Sequence, residues 1–205
     1  MRIDRIICGD YLTNCYILRA ENSSDAVVID PGDDVDAIEK TLNRFGVRVG
    51  AILLTHGHFD HFLSAACLKE HFGAPVFVSR ADEKALSDAY LNALPEETHT
   101  PFTPIKADGF LDEGAFSVCG LTFTVMKTPG HTPGSVCLLS EDENDLFTGD
   151  TLFERGFGRT DLPGGSWSAL IQSLRSLFAL ICDPVVHPGH GESARLTEIR
   201  KGYYR

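Results

Sequence analysis

Seven side chains of the types that bind metal ions are concentrated in four short segments of this sequence. Residues 55–61 read Thr-His-Gly-His-Phe-Asp-His, and the later segments are Pro-Gly-His at 129–131, Gly-Asp at 149–150 and Pro-Gly-His-Gly at 188–191. The candidate ligands are His56, His58, Asp60, His61, His131, Asp150 and His190. Imidazole suits zinc and iron, and a carboxylate can bridge two cations. This nitrogen and oxygen donor set predicts two metal ions with hydrolytic or oxygen-using chemistry.

The elements that must position these ligands are predicted to be strands. Each ligand segment directly follows a short apolar run of the kind found in buried strands, at residues 51–54, 121–126, 146–147 and 185–186. In sheet proteins, ligands commonly lie in the crevice beyond the carboxyl ends of the strands. The loops that follow these four strands are therefore expected to converge on one site.

The pattern of strands and helices predicts an α/β fold. Apolar runs predict strands at about 2–7, 14–19, 26–30, 50–55, 75–78, 115–119, 121–127, 135–140 and 145–148. Helices are predicted after a cap at Asp33 or Asp34 with a stop at Gly46, over 61–72 with a stop at Gly73, over about 80–92 with Ser79 as cap, and after Ser166. Two sheets packed face to face, with helices outside, would bury these apolar faces.

The composition favours one domain that spans residues 1–205. With 43% hydrophobic residues, a chain of this length can bury a substantial core. The formal net charge of -11 argues against a nucleic-acid partner, because phosphate binding needs a basic surface. No apolar run approaches the ~18 residues of a membrane span, and the first residues lack the pattern of a signal peptide. We therefore expect a cytoplasmic protein whose six singly spaced cysteines are free thiols.

The motifs resemble those of the metallo-β-lactamase superfamily. Its His-x-His-x-Asp-His pattern matches residues 56–61, and the later His, Asp and His follow in the same order at His131, Asp150 and His190. The stretches at 128–135, 148–150 and 158–165 are similar to the glyoxalase II-like, or hydroxyacylglutathione hydrolase-like, branch. The resemblance implies a four-layered αββα sandwich. Classical glyoxalase II enzymes have an additional C-terminal helical domain that contributes to glutathione binding, and the short segment after Gly191 leaves no room for one.

The resemblance also implies a role for each ligand. One metal ion would be bound by His56, His58 and His131, the other by Asp60, His61 and His190, with Asp150 as the bridge. The cofactors would be two divalent ions, zinc in the first place, with iron or manganese as alternatives. A hydroxide that bridges the ions would attack the carbonyl of a small-molecule thioester such as S-lactoylglutathione. Asp60 would also act in catalysis by orienting this nucleophile.

Two arginines follow the bridging aspartate in a glycine-rich segment. In an acidic protein, Arg155 and Arg159 beside the metal ions are candidates to bind a carboxylate of a glutathione-derived substrate. The alternative for Arg159 is an ion pair with Asp161 that holds the loop.

Three further polar residues are candidates to orient the metal ligands through hydrogen bonds. They are Thr55, Asp30 and Thr148. Asp30 could equally be a turn residue that satisfies local backbone donors. His187, on the strand before His190, is interpreted as a hydrogen-bonded core histidine.

Two other functions remain open from the sequence. Persulfide dioxygenases also resemble this chain, and their single iron uses the counterparts of His56, His131 and Asp150, a subset of the seven ligands. A non-enzymatic metal-binding module is the second alternative, although structural zinc sites close with four ligands and do not need seven. β-Lactamases of the subclass with a cysteine ligand would have Cys in place of Asp150. The full ligand set favours the dinuclear hydrolase, and the oligomeric state is left open.

Overall fold

Two mixed sheets of six strands each form the centre of the part of the chain that the computed structural model describes, residues 1–21 and 23–203. The first sheet has the order β1-β2-β3-β4-β5-β6, and its strands are Arg2–Cys8, Thr13–Arg19, Asp25–Ile29, Arg48–Leu53, Val76–Val78 and Gly109–Phe110. The second has the order β12-β11-β10-β9-β8-β7, and its strands, from β7 to β12, are Gly114–Val118, Leu121–Lys127, Val136–Ser140, Asp145–Gly149, Val185–Pro188 and Ala194–Arg195.

Parallel pairing brings selected strand ends to the same edge of each sheet. In the first sheet β3, β4, β5 and β6 are parallel neighbours, and in the second β10 and β11 are parallel. The carboxyl ends of β3 and β4 therefore lie side by side, as do those of β10 and β11. The segments that leave these four ends carry Asp30, the 55–61 motif, Asp150 and His190.

Four α-helices of the described residues cover the outer faces of the sheets. Their bounds are Val35–Phe45 for α1, Ala65–Phe72 for α2, Trp167–Phe178 for α3 and Leu196–Tyr203 for α4. The Asp34 side chain accepts a hydrogen bond from the amide of Ala37 at the start of α1, and Gly46 ends it with φ +64°. The predicted caps Gly73 and Ser166 are also confirmed at the end of α2 and the start of α3.

The apolar residues form three separate layers of core. Because side chains alternate along a strand, Val28 and Ile52 pack toward α1 and α2, while their neighbours Ile29 and Leu53 face the second sheet. The third layer lies between the second sheet and α3, where Leu174 packs with the residues of β9, β10 and β11. Each fully buried side chain of this size contributes about 1.5–3 kcal/mol. The order helix, sheet, sheet, helix confirms the predicted αββα sandwich.

Two predicted helices differ from the structure. The helix predicted over 80–92 is wrong, since this segment contains only the 3₁₀ helix Glu83–Ser87, preceded by Asp82 instead of a cap at Ser79. The Asp88 carboxylate accepts hydrogen bonds from the amides of Tyr90 and Leu91 and so forms a turn where a helix would continue. The helix predicted from residue 61 begins only at Ala65, because residues 59–61 form a separate 3₁₀ turn.

None of the helices in residues 1–21 and 23–203 is both long enough and apolar enough to cross a membrane.

Candidate metal centre

The seven predicted ligands come together at the carboxyl ends of the central strands. Four of them, His56, His58, His61 and His131, are at most 3% exposed, and His190 is partly exposed. Six of them form two groups of three, with the carboxylate of Asp150 between the groups, and His56 and His61, one from each group, also form a cluster with Asp30.

The first group contains His56, His58 and His131. One ring nitrogen of each lies within 4.8 Å of the others. The closest approach is 2.8 Å, between Nδ1 of His58 and Nε2 of His131. Three imidazoles from two loops thus direct nitrogen atoms at one another, an arrangement that suits a cation with nitrogen ligands.

The second group contains Asp60, His61 and His190, again with one donor atom of each within 4.8 Å of the others. Oδ2 of Asp60 lies 3.5 Å from Nε2 of His61 and 3.3 Å from Nε2 of His190. This group therefore combines one carboxylate with two imidazoles.

The carboxylate of Asp150 lies between the two groups. Its Oδ1 is 3.5 Å from Nε2 of His61, and its Oδ2 is 3.4 Å from Nε2 of His131 and 3.5 Å from Nε2 of His190. One side chain thus faces histidines of both groups, which is the position that a bridging ligand requires. The prediction of seven ligands stays a prediction, but the structure brings all seven together.

Hydrogen bonds on the outer side of the rings fix how the histidines point. Nδ1 of His61 donates to Oδ2 of Asp30 at 2.9 Å. The Thr55 hydroxyl donates to the same oxygen at 2.6 Å and accepts from Nδ1 of His56 at 3.1 Å. Nδ1 of His131 donates to the carbonyl of Arg159 at 2.7 Å. In all three rings the proton is therefore on Nδ1, and Nε2 is left to bind a metal ion.

Two of the three predicted orienting residues thus make such contacts. Asp30 also accepts from the backbone amide of Thr55 at 2.8 Å and is 1% exposed. Its φ of +50° is in the left-handed region that a non-glycine residue rarely adopts, so the surrounding contacts must hold it there. Thr148 instead donates to the carbonyl of Leu152 at 2.7 Å and stabilises the turn that contains Asp150.

Several buried polar atoms at the centre have no hydrogen-bond partner among the described residues. They are Nε2 of His56, His58 and His61 and Oδ1 of Asp150. Buried polar atoms in proteins are nearly always paired, and two of these, Nε2 of His61 and Oδ1 of Asp150, face each other at 3.5 Å, so they indicate another binding partner. The donor set and these unpaired atoms fit divalent metal ions.

Burial keeps two candidate ligands of the first group neutral. Burial and then the neighbouring imidazoles lower the pKa of His56 well below its usual value. The same two causes lower the pKa of His58 to about 3. Both rings are uncharged at neutral pH, as metal binding requires.

The second group behaves in the opposite way. Burial favours neutral His61, but the carboxylates of Asp60, Asp150 and Asp30 outweigh it and raise its pKa to about 9. For His190, burial is outweighed by contacts with Asp150 and Asp60, which raise the pKa to about 11. Binding of a metal ion to this group therefore displaces protons.

Two glycines allow the backbone to approach the ligands closely. A Cβ atom at Gly189 would collide with Oδ1 of Asp150 and would lie 2.7 Å from Cε1 of His61. A Cβ atom at Gly158 would collide with the carbonyl of Asp150 and lie 2.7 Å from Nδ1 of His131. At Gly189 and Gly158 there is therefore no room for any side chain.

A cavity of about 380 Å³ opens onto five of the candidate ligands, which are His58, Asp60, His131, Asp150 and His190. Its remaining wall is mostly apolar and includes Tyr11, Phe59, Phe153 and Leu162. Arg159 is the basic residue that lines it.

The two predicted substrate-binding arginines are placed differently. Arg159 lines the cavity, but its guanidinium binds both oxygens of Asp161, at 2.7 and 2.6 Å. Arg155 is exposed, with Nε 3.7 Å from a carboxylate oxygen of Glu154, and is not among the described residues that line the cavity. The structure thus brings one of the two arginines to the site and contains the Asp161 pair that was the alternative for it.

The sequence analysis missed the contribution of the N-terminal strands. The hydroxyl of Thr13 donates to Oδ2 of Asp60 at 2.9 Å. The side chain of Asn14 donates to the carbonyls of Pro188 and Gly191, and so fixes the loop of His190. No local pattern signals these roles, because they arise from contacts between segments more than 40 residues apart.

His187 is a hydrogen-bonded core residue, as predicted. Its Nε2 lies 2.8 Å from Oδ1 of Asp145, and its Nδ1 lies 3.1 Å from the hydroxyl of Ser193.

Comparison with known proteins agrees with the geometry. A sequence model of the metallo-beta-lactamase superfamily matches residues 8–190. Among curated proteins, the hydroxyacylglutathione hydrolase GloC of Haemophilus influenzae is 33% identical over 199 residues, which cover 93% of this chain and 91% of the relative.

Solved structures of similar length match nearly the whole chain. The BLEG-1 B3 metallo-beta-lactamase has a TM-score of 0.91 and 35% identity, with coverage of 98% of this chain and 97% of the other. TTHA1623 in a di-iron-bound form has a TM-score of 0.86 and 34% identity, with 97% of both chains covered. ETHE1 from Myxococcus xanthus has a TM-score of 0.79 and 28% identity, with coverage of 98% and 82%.

Proposed function

We propose that this chain, which belongs to the metallo-beta-lactamase superfamily, is a dinuclear metal-dependent hydrolase of thioesters. The observation that carries the proposal is the carboxylate of Asp150, which lies within 3.5 Å of histidine nitrogens from two separate groups of three donors. The similarity to a hydroxyacylglutathione hydrolase supports a thioester substrate, with S-lactoylglutathione as the first compound to test. We also propose that residues 1–205 act as a single domain.

The proposed ligands are His56, His58 and His131 for one ion, Asp60, His61 and His190 for the other, and Asp150 as the bridge. Imidazole and carboxylate donors accept zinc, iron or manganese. The similarity to a di-iron-bound structure supports iron beside zinc. When bound, two divalent ions lower the pKa of water and polarise a carbonyl oxygen, which is the chemistry that thioester hydrolysis needs.

Asp60 is proposed to orient the attacking water in addition to its role as a ligand. Burial by itself would raise the pKa of Asp60, but the charge of His61 and the contact with His190 lower it, so the carboxylate is ionised. The hydrogen bond from Thr13 fixes its orientation, and the residue lines the cavity. An oriented, ionised carboxylate can accept a hydrogen bond from water and so direct its attack.

Substrate binding is assigned to the rest of the cavity wall. The apolar part, with Tyr11, Phe59, Phe153 and Leu162, excludes bulk water from one side of the site. Arg159 is proposed to bind a carboxylate of the substrate, which would replace Asp161 as its partner. Arg155 is proposed for the same role with less support, because its side chain would have to move to reach the cavity.

Two other activities are each favoured by a specific similarity. The match to ETHE1 keeps open a mononuclear iron dioxygenase that acts on persulfides, for which His56, His131 and Asp150 would suffice. The match to BLEG-1 makes hydrolysis of a β-lactam amide the second candidate. The dioxygenase would need one metal ion and would consume oxygen, and the β-lactamase would prefer a β-lactam to a thioester, so metal stoichiometry and substrate preference separate the three.

The test is to purify the protein, measure its metal content, and assay three reactions in parallel. They are hydrolysis of S-lactoylglutathione, hydrolysis of a chromogenic cephalosporin, and oxygen uptake with glutathione persulfide. The proposal predicts close to two metal ions per chain and thioester hydrolysis as the fastest reaction. Oxygen uptake by a protein with one iron, without thioester hydrolysis, would overturn it in favour of the dioxygenase.

A further inference from the structure

Asp82 connects the two loops that contain the first group of candidate ligands. It precedes the 3₁₀ helix Glu83–Ser87, far in sequence from both loops, and is 3% exposed. Its Oδ2 accepts hydrogen bonds from the amide of Gly57 at 2.9 Å and from the hydroxyl of Thr132 at 2.6 Å. Its Oδ1 accepts from the amide of Gly134 at 2.7 Å. One buried carboxylate thus binds both loops at once.

The partners of Asp82 are immediate neighbours of candidate ligands. Gly57 stands between His56 and His58, and Thr132 follows His131. The nitrogens that these loops direct at each other are 2.8 Å apart, between His58 and His131. The distance between the loops therefore sets the distance between the nitrogens.

The packing around Asp82 explains why glycine stands at position 57 in the first loop and at position 134 in the second. A Cβ atom at Gly134 would lie 2.5 Å from Cγ of Asp82, and one at Gly57 would lie 2.7 Å from Cβ of Ala85 and 3.2 Å from Cβ of Asp82. A side chain at Gly134 would displace the carboxylate itself, and one at Gly57 would displace the 3₁₀ helix that follows Asp82, so glycine at both positions allows the close approach. The loops share one further backbone contact, from the amide of Val136 to the carbonyl of Thr55 at 2.9 Å, which lies on the strand side of the ligands.

We infer that Asp82 is a positioning residue for the metal centre, which holds the loops of His56, His58 and His131 at the separation that one metal ion requires. The inference rests on the proposed dinuclear centre but not on the identity of the substrate. None of the three hydrogen bonds of Asp82 is made with the side chain of a candidate ligand. Its effect passes through the backbone of Gly57 and Gly134 and through Thr132.

The test is a cobalt titration of the metal-depleted protein and of the variant Asp82→Asn, followed by visible absorption. An amide in place of the carboxylate puts an N–H group opposite the amide of Gly57 or of Gly134, whichever way it is turned, so one loop is released. We expect affinity for the ion of the three-histidine group to fall about tenfold to a hundredfold, as is usual when a residue that supports metal ligands is lost. Affinity for the second ion should change by much less.

A matched control is available at the other end of the second sheet. Asp183, which precedes β11, accepts hydrogen bonds from the amide of Thr197 at 2.8 Å and from its hydroxyl at 3.0 Å. Asp183→Asn therefore removes a similar structural carboxylate away from the ligands, and should leave both cobalt affinities unchanged. Thermal unfolding of both variants measures the loss of stability separately from metal binding.

A second variant decides the matter if Asp82→Asn does not fold. Thr132→Val removes one of the three donors with little change in shape and leaves the carboxylate in place. It should weaken the same ion, by a smaller factor. Wild-type affinity in Asp82→Asn, or in Thr132→Val when Asp82→Asn is unfolded, would overturn the inference, as would equal weakening of both ions. Failure of the wild type to bind cobalt would instead refute the proposed centre, and binding of two ions without thioester hydrolysis would refute only the substrate.

Discussion

Replacing Asp30 with asparagine should weaken metal binding at one of the two positions while the chain stays folded. The Asp30 carboxylate accepts three hydrogen bonds, from the amide and hydroxyl of Thr55 and from Nδ1 of His61. Asparagine offers one acceptor oxygen in place of two. With its nitrogen toward the Thr55 amide, two donors oppose each other. With its nitrogen toward His61, the ring must accept at Nδ1, so its proton moves to Nε2 and blocks metal binding.

The size of the effect follows from the burial and charge of Asp30. The residue is 1% exposed, so its hydrogen bonds to His61 and Thr55 are not screened by solvent. A hydrogen bond to a charged group contributes about 1.5–3 kcal/mol, and about 1.36 kcal/mol corresponds to a tenfold change in affinity. We therefore expect the affinity for the ion bound by Asp60, His61 and His190 to fall about tenfold to 150-fold. The assay is a zinc titration in competition with a chromophoric chelator, with metal content measured after gel filtration.

The control for this prediction is again Asp183→Asn. Asp183 accepts from the amide and hydroxyl of a single threonine, Thr197, just as Asp30 does from Thr55. The control should lose stability without loss of metal. If Asp30→Asn retains two tightly bound ions, the hydrogen bond to Asp30 does not fix His61 as a ligand, and the reasoning is refuted.

Four further substitutions test other parts of the site. Asp150→Ala should abolish turnover and reduce metal occupancy with the fold retained, because it removes the carboxylate between the two groups. Unchanged activity with both ions bound would show that Asp150 is not the bridge. In Gly189→Ala the added methyl group collides with Asp150, and a displacement of ~1 Å at a catalytic site is enough to slow a reaction greatly, so kcat should fall about tenfold or more. A fully active variant with normal metal content would contradict the close approach of Gly189 to Asp150. Arg159→Ala should raise KM about two- to tenfold for a glutathione thioester, with kcat little changed, and Arg155→Ala should raise KM by a smaller factor. The expected rise in KM for Arg159→Ala is modest, because this exposed guanidinium exchanges one carboxylate partner for another. An equal rise in KM for a thioester without carboxylates would show that Arg159 only holds its loop.

The layers of the fold and the clustering of the ligands follow from local patterns in the sequence. The apolar runs before His56 and Asp150 and the capping residues of α1 predict strands and helices close to those observed. Since parallel strands place their carboxyl ends at one edge, the convergence of the ligand loops could also be predicted. The helix over 80–92 could not be excluded, because the Asp88 side chain competes with the helix by a local turn that the apolar pattern does not record.

The supporting contacts depend on the tertiary structure and could not be read from local patterns. Thr13 contacts Asp60 only because β2 lies beside the 3₁₀ turn at Phe59–His61. Asp82 is one of many acidic residues in the chain, and nothing nearby in sequence marks it as the acceptor for two distant loops. The sequence allows Arg159 either as a substrate contact or as a partner of Asp161, and the shape of the loop determines that it pairs with Asp161.

The central claim is that one chain binds two metal ions and needs both for hydrolysis. The His61 ring faces both Asp60 and Asp150. The most direct test is therefore to measure metal content and S-lactoylglutathione hydrolysis together, for the wild type and for the variant His61→Ala. We predict close to two ions per chain in the wild type, close to one in the variant, and a large loss of hydrolysis with the second ion. A wild type that is fully active with a single iron, and a His61→Ala variant that matches it, would contradict the dinuclear account.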